Sequence, residues 1–420
     1  MPGPLRNGER QAGERPEDAL RRFYRRDRPA RLGVAVSGGS DSLALLHLLR
    51  EAELAPLSAV TLDHGLRPEA AVEALQVARI CEDLGVPHDV LHWEGWDGHG
   101  NLQAEARRTR YHVIADWALG QGLDAVALGH TLDDQAETFL MRLAREAGVG
   151  GLAAMRDRFT RDGMVFHRPL LKVSRASLRD WLALRGRPWV DDPSNEDEGF
   201  ERVRARRAIE ALSPLGLTPD AIGVVAAQLR QAEDALSVAA SDWANAHVTE
   251  AGGDLVIDRA ALLALPRETG RRILSDGVRW VSGAEYPPRR DAVSSLWPAI
   301  RGELTITLGG CLFLNSRMTC RITREHAAVA GLTTPANAIW DGRWRLDGPG
   351  EPGLETRALG EAVALCPDWR ETGLPRQSLL ASPSIWRGGR LVAAPVAGLA
   401  NGWAARADGR DTFTRFLKSR

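Results

Sequence analysis

The run Ser37-Gly38-Gly39-Ser40-Asp41-Ser42 has the residue types of a phosphate-binding loop. It follows an apolar stretch, Leu32–Val36, and leads into an apolar-periodic segment, Ser42–Glu53. A tight turn leaving a strand needs glycine for its dihedrals and for close approach of backbone to a ligand. The helix that follows presents unsatisfied N–H groups and the positive end of its dipole. Together they make an anion cradle, with serine hydroxyls as further donors and Asp41 as a candidate metal ligand. No Gly-Lys-Ser/Thr follows, so this is not a Walker A loop. With no lysine in the loop, phosphate charge falls to backbone N–H groups, Mg2+ and arginines brought from elsewhere.

Four further stretches carry chemistry-bearing residues. "TLDHGLRPEA" (61–70) places Asp63, His64 and Arg67 after a second strand, at the same sheet edge. "GNLQAEARRTRYHV" (100–113) offers Asn101 as a helix cap and puts Arg107 and Arg110 three apart, on one helical face that could clamp a phosphate. In "ALGHTLDDQAETFLMRLAR" (127–145), His130 lies just past an apolar strand, and Asp133, Asp134 and Glu137 open a helix. Acids at a helix N-terminus are favourable caps, but a histidine and three acids at one edge exceed what capping requires. Such acids can hold magnesium or bind an ammonium group. "WVDDPSNEDEGFERVRARRAI" (189–209) joins an acidic turn to Arg202, Arg204, Arg206 and Arg207, either a nucleic-acid contact or interdomain hinge, or a loop with a solvated basic helix.

Alternating elements must position these residues. Strands are predicted at Leu32–Val36, Leu57–Leu62, Asp89–His92, Ala125–Leu128 and Val165–His167. Helices are predicted at Ser42–Glu53, Glu69–Leu84, Leu102–Gly120 and Asp133–Ala147. That alternation predicts an α/β fold with a Rossmann-like, doubly wound parallel sheet, which binds ligands beyond the carboxyl ends of its strands. Helices follow at Ser174–Leu184, Val203–Leu212 and Pro219–Ala246, then short strands mixed with a helix over 254–325. "AGLTTPANA" (330–338) reads as a linker, and 339–420 as a small Gly/Pro/Trp-rich α+β domain. The expected organisation is a lead-in over 1–28, partly disordered with a helix near its end, a catalytic domain over 29–212, a mainly helical middle domain over 213–329 and a C-terminal domain over 339–420.

Bulk composition bounds the partners. The 420 residues carry a net charge of −1, so the whole chain is not a basic nucleic-acid coat. Lys172 and Lys418 are the only lysines, and arginine supplies the other positive charges. The fork of arginine suits phosphates and base edges. No stretch reaches the roughly 18 apolar residues of a membrane helix, and no secretory leader is expected at the Arg/Glu/Pro-rich start. Four cysteines without a Cys-x-x-Cys pair argue against disulfide scaffolds and zinc ribbons, and for a reducing cytoplasm.

"SGGSDS", "DHGLRPEA", "NLQAEARRTRY", "LGHTLDDQAET" and "DPSNEDEGFERVRARR", in this order and spacing, closely resemble the tRNA(Ile)-lysidine synthetases of the N-type ATP pyrophosphatase (PP-loop) superfamily. The detailed match covers roughly residues 30–210. The resemblance implies ATP-dependent joining of L-lysine to C2 of the wobble cytidine in isoleucine tRNA with a CAU anticodon. An adenylated cytidine is the intermediate, and AMP and pyrophosphate are released. It implies that Ser37–Ser42 and His64 bind ATP and that Asp41 holds Mg2+. It further implies that Arg107 or Arg110, with His130, faces the α-phosphate, and that Asp134 and Glu137 hold the lysine amines. Beyond residue 210, Arg271, Arg272, Arg289 and Arg290 join Arg202–Arg207 as expected tRNA contacts; a homodimer stays open. Two rivals remain at this point: a PP-loop tRNA thiolase, which would need cysteines to carry sulfur, and a nucleotide-binding module without catalysis. The chain departs from the family in one loop, where Glu146 and Ala147 stand in place of the Gly-Ser of a common Arg-Gly-Ser-Gly, and at Phe200, where tyrosine is frequent.

Overall fold

A computed structural model describes residues 14–63, 69–92, 102–190, 199–407 and 411–418, with the side chains of 69–71 and 102–107 outside that description. These residues gather into two compact units divided between Glu233 and Asp234.

The first unit is built on a six-stranded sheet. In chain order its elements are α1 (Pro16–Tyr24), β1 (Leu32–Ala35), α2 (Ser40–Ala52), β2 (Leu57–Asp63), α3 (Glu69–Asp83), β3 (His88–His92), α4 (Leu102–Gly120), β4 (Ala125–Leu128) and α5 (Leu132–Leu143). Then come α6 (Val149–Leu152), β5 (Arg158–Arg161), β6 (Met164–His167), α7 (Arg175–Ala183), α8 (Glu201–Leu212) and α9 (Pro219–His247), the last running past the division at Glu233. The strand order is β3-β2-β1-β4-β6-β5, parallel throughout except for β5. β1 and β4 are buried along their whole length, as central parallel strands covered on both faces must be. Leu45, Leu46, Val77, Leu178 and Trp181 pack on one face; Tyr111, Ile114 and Phe166 pack on the other.

Strand β5 escaped the sequence reading. Its four residues, Arg-Phe-Thr-Arg, are too charged to look like a strand, but Asp162 and Gly163 follow with φ of 49° and 78°. An Asp-Gly pair at positive φ closes a tight hairpin, and β5 pairs antiparallel with β6 across it.

Chain order places the loops. From β1 the chain moves outward to β2 and β3, then returns to lay β4 on the other side of β1. The reversal leaves a crevice at the carboxyl ends of β1 and β4, where ligands of such sheets bind. Ser37–Ser42 leaves β1 there, and His130–Glu137 leaves β4 beside it.

Two buried histidines make this unit acid-sensitive. Burial lowers His47 and His167 from 6.5 to about 4. The unfolded chain then takes up protons that the folded one refuses. Stability is full above the unfolded value, near 6.5, and falls as pH drops from there to about 4, by up to about 3 kcal/mol per histidine. His47→Leu is expected to flatten the urea midpoint against pH over that window; an unaltered slope would refute the assignment.

The second unit holds β7 (Val248–Ala251), β8 (Asp254–Asp258), α10 (Arg259–Ala264), α11 (Arg267–Ser282), β9 (Ile306–Leu308), β10 (Cys311–Asn315) and β11 (Thr319–Arg324). The strands form an antiparallel sheet, β7-β8-β11-β10-β9, so the short strands expected over 254–325 join in one helix-backed sheet. Gly252–Gly253 and Gly309–Gly310, all at positive φ, turn two of its hairpins. Thr333–Pro335, inside the expected linker, is an edge strand paired to Glu355–Arg357; β-branched residues suit a strand, and an edge tolerates proline. Trp340, Trp344, Ile385 and Trp403 form a separate core over 329–405. The helix Phe413–Lys418, however, packs Phe413 and Leu417 into the core of the five-stranded sheet. Trp280 donates to the Asp411 carbonyl at 3.0 Å, 131 positions away in sequence.

Candidate active site

The loop after β1 is shaped by backbone and serine together. Gly38 has φ +84°, which a side chain would strain. The Ser37 N–H donates to Ser42 Oγ at 3.1 Å, and Ser42 Oγ donates to the Gly39 carbonyl at 3.0 Å. Gly39 is the N-cap of α2 and provides no side-chain cap, so the first turn keeps its N–H groups turned to the crevice. β4 approaches this turn closely: a Cβ on Gly129 would lie 2.9 Å from Ser42 Cα. Any larger residue there would drive the two loops apart.

Helix α5 opens with a capping box, which is why its acids sit where they do. Thr131 Oγ1 accepts from the Asp134 N–H, and Asp134 Oδ2 accepts from the Thr131 N–H at 2.9 Å and from Thr131 Oγ1 at 3.0 Å. Asp133 turns elsewhere and accepts the Arg175 N–H at 2.7 Å, at the start of α7. Glu137, one turn on, is 1% exposed.

An arginine that sequence reading missed ties these groups together. Arg175 Nε donates to Asp41 Oδ2 at 2.8 Å, and its other nitrogens lie 3.5 Å from Asp134 Oδ1 and 3.7 Å from Glu137 Oε1. Two arginines of α8 complete the cluster. Arg206 Nε donates to Glu137 Oε1 at 3.0 Å, and Arg202 lies 3.6 Å from Asp134 Oδ1. Four positions apart, they share the face of α8 turned to the acids, while Arg204 and Arg207 are exposed. Three carboxylates thus face three guanidinium groups.

Burial sets the protonation of the cluster. It raises Asp41, against the pull of Arg175, and raises Glu137, helped by the charge of Asp134. It also pushes Asp134 upward, but the charges of Arg175 and Arg202 and the Thr131 amide outweigh it and bring that carboxyl below its ordinary value. Burial opposes the Arg175 charge too, yet Asp41, Asp134 and Glu137 hold its pKa above the ordinary range. Burial, then Arg168, hold His130 well below 6.5, so its imidazole is neutral at pH 7. The charges of Arg110 and Arg202 act on the same ring. Two buried atoms here have no hydrogen bond among the described residues: His130 Nδ1 and Glu137 Oε2.

The structure therefore brings Ser37–Ser42, Asp41, His130, Asp134 and Glu137 together, with Arg110 close enough for its charge to reach His130. His64 and the Asp192–Asn195 turn lie outside the described residues, as does the Arg107 side chain, although α4 carries its backbone. Arg272 is not available for a tRNA contact: it is 1% exposed and bonded to Ser237 Oγ.

A magnesium ion would find one carboxylate rather than a cage. Among the described residues no group of three His, Cys, Asp or Glu is set to hold a metal. Asp41, at the cradle, fits the mode in which magnesium takes one or two carboxylates and completes its shell with substrate phosphates and water.

The loop that departs from the family is held rather than loose. Arg142 donates to the carbonyls of Gly151 and Ala154 at 2.8 and 2.9 Å, and Arg230 to those of Ala153 and Ala154 at 2.8 and 3.1 Å. Glu146 has φ 56°, which explains why glycine suits that place. Glu146→Gly is expected to stabilise the protein by up to about 1 kcal/mol; a lowered melting temperature would show that the glutamate side chain compensates.

Comparison with known proteins identifies the family. The model of a PP-loop domain matches residues 14–212. A tRNA(Ile)-lysidine synthase of Ruegeria pomeroyi is 49% identical over 411 residues, 95% of this chain and 97% of its own length. Another, from Methylobacterium nodulans, is 38% identical over 75% of this chain and 97% of its own length. A solved U34-tRNA thiolase, NcsA from Methanococcus maripaludis with its 4Fe-4S cluster, aligns over 51% of this chain and 76% of its own, at 18% identity and a TM-score of 0.44. The phosphate loop, the acids after β4 and the basic helix α8 fall in the segment matched as a PP-loop domain, and the Ruegeria relative extends the likeness over almost the whole length; the chain belongs to the tRNA(Ile)-lysidine synthase family.

Proposed function

We propose that the chain uses ATP to join L-lysine to C2 of the wobble cytidine in isoleucine tRNA with a CAU anticodon, in the cytoplasm. The observation that carries this reading is a buried acidic cluster set directly beside a phosphate cradle, in a chain of this family.

The reaction runs in two displacements at one site. The cytidine C2 oxygen attacks the α-phosphorus of ATP, the bond to the β-phosphate bridging oxygen breaks, and pyrophosphate is left in the Ser37–Ser42 cradle. Backbone N–H groups at the start of α2 and the serine hydroxyls hold its oxygens. Arg110 or Arg107 faces the α-phosphate, where cationic donors stabilise developing charge. Neutral His130 offers one N–H and one lone pair without adding charge. Magnesium, held through Asp41, would offset charge on the separating phosphates.

Lysine enters next. Its ammonium groups need carboxylate partners, and Asp134 and Glu137 are the buried pair at hand. The arginines now on those acids would turn toward phosphate as lysine arrives. The attacking amine must give up a proton before its nitrogen bonds C2. Glu137, its affinity for a proton raised by burial, is suited to take it. AMP then leaves with the former C2 oxygen, giving lysidine.

The cysteines favour lysine over sulfur as the acceptor chemistry. All four are buried, and burial pushes Cys81 up to about 11 and Cys311 and Cys320 up to about 12. Such thiols do not carry sulfur readily.

The test is incorporation of labelled lysine into an unmodified CAU-anticodon isoleucine transcript with ATP and magnesium. Label on that transcript, absent without ATP and absent on the methionine tRNA, is the expected result. AMP formation without label would refute lysine as the acceptor.

A further inference from the structure

The segment Arg21-Arg-Phe-Tyr-Arg-Arg-Asp-Arg-Pro-Ala-Arg31 holds six arginines and one acid. Nothing in the reaction above uses it. Its aromatic pair is sunk into the fold. Tyr24 is 0% exposed and its hydroxyl lies 3.2 Å from His167 Nδ1, while the Phe23 ring stands edge-on to the same imidazole. Arg158 clamps the segment from outside: it covers the Phe23 ring at 4.6 Å, donates to the Phe23 carbonyl at 3.1 Å and pairs with Asp27. The arginines on either side of the aromatic pair are thereby held outward on a fixed frame. Arg21, Arg25, Arg26 and Arg28 are exposed, and no side-chain partner occurs for them among the described residues.

Two adjoining recesses run along this segment. One, of about 500 Å³, is lined by Arg22, Arg25, Arg26, Arg158, Arg168 and Lys172, against the acids Asp27 and Asp157. The other, of about 560 Å³, adds Arg21 and Arg28, with Glu51 as its acid. Their position is informative. His167, on which the aromatic pair rests, ends β6 at the same sheet edge as the active site. Arg168 lines the first recess, and its charge also reaches His130. Three residues beyond Lys172, Arg175 enters the acidic cluster.

We infer that this arginine face binds the sugar–phosphate backbone of the RNA substrate next to the reacting nucleotide. The inference rests on the proposed function, since it takes RNA to be the substrate. A strand presented to the crevice must leave it across a neighbouring surface, and this one offers unpaired planar donors suited to phosphate oxygens. Contacts of this kind position the strand without reading its sequence.

The test uses the full chain with Arg21, Arg25, Arg26 and Arg28 all changed to glutamine, and measures binding of the unmodified isoleucine transcript by filter retention across a salt series. Each lost phosphate contact lowers the slope of log affinity against log salt by about one, so a drop of about two to four is expected. Binding near 0.15 M salt should weaken at least about tenfold, with unrelated RNA weakened in parallel. ATP binding and the melting temperature should be unchanged. A salt slope equal to that of the unaltered protein would overturn the inference, whether or not affinity falls. If the unaltered protein binds the transcript but adds no lysine to it, the proposed reaction fails, while the slope comparison still decides this surface.

Discussion

Arg175→Ala is expected to unfold more readily than the parent by about 3 kcal/mol or more, because it leaves Asp41 buried without its cation. Asp41, Asp134 and Glu137 converge on that guanidinium, and Asp41 pairs with it at 2.8 Å. Arg202 and Arg206 still serve the other two acids, so the fold should survive with its cradle loosened. Pyrophosphate release should fall at least about a hundredfold, as expected when a charged group at a reacting phosphate is displaced. Arg175→Lys restores the charge but not the fork, and should recover part of the stability and less of the rate. Urea unfolding and pyrophosphate release measure the two effects. A variant as stable as the parent would mean that water or the neighbouring arginines already satisfy Asp41.

Glu137→Gln is expected to divide the reaction. The carboxylate proposed to face lysine and take its proton would be lost, while the phosphate cradle would be untouched. Pyrophosphate release in the presence of tRNA should persist, and lysine incorporation should fall about 10²- to 10⁴-fold, the range for removing a general base. Adenylated tRNA should accumulate. Raising the pH should rescue the variant in part, because the free amine then needs no base. Equal losses in both half-reactions would place Glu137 with the phosphates instead. The substitution is close to isosteric and keeps an oxygen that can accept from Arg206, so folding should be little changed.

These two residues show where sequence reading reaches and where it stops. Glu137 was legible because it lies one turn into a helix that begins at the end of an apolar strand. Spacing along the chain alone placed it at the sheet edge. Arg175 was not legible. Its neighbours, Ser174 and Ser177, spell an ordinary capped helix, and its partner Asp41 is 134 positions away. Only the docking of α7 against α2 joins them. The α8 arginines were half legible: their basic character is plain in the sequence, but the periodicity that turns Arg202 and Arg206 inward gains meaning only once the acids are opposite. The parallel core was legible from its continuous apolar strands. The antiparallel sheet of the second unit was less so, because its strands are short and partly exposed, and the glycine pairs that turn its hairpins are its clearest signal.

The return of Phe413 and Leu417 to the core of the five-stranded sheet has a consequence for synthesis. The first unit has its whole sheet in hand once the chain reaches β6, and its active-site edge once α8 follows. The second unit has no such independence: the apolar surface around Trp280 stays open until Phe413, more than a hundred positions later, arrives. Contacts so distant in sequence form late. During translation, a finished catalytic unit therefore trails a half-built partner with an exposed apolar face, the kind of surface that chaperones hold and proteases find. A chain stopped short of Phe413 would carry every catalytic group and still be marked for removal.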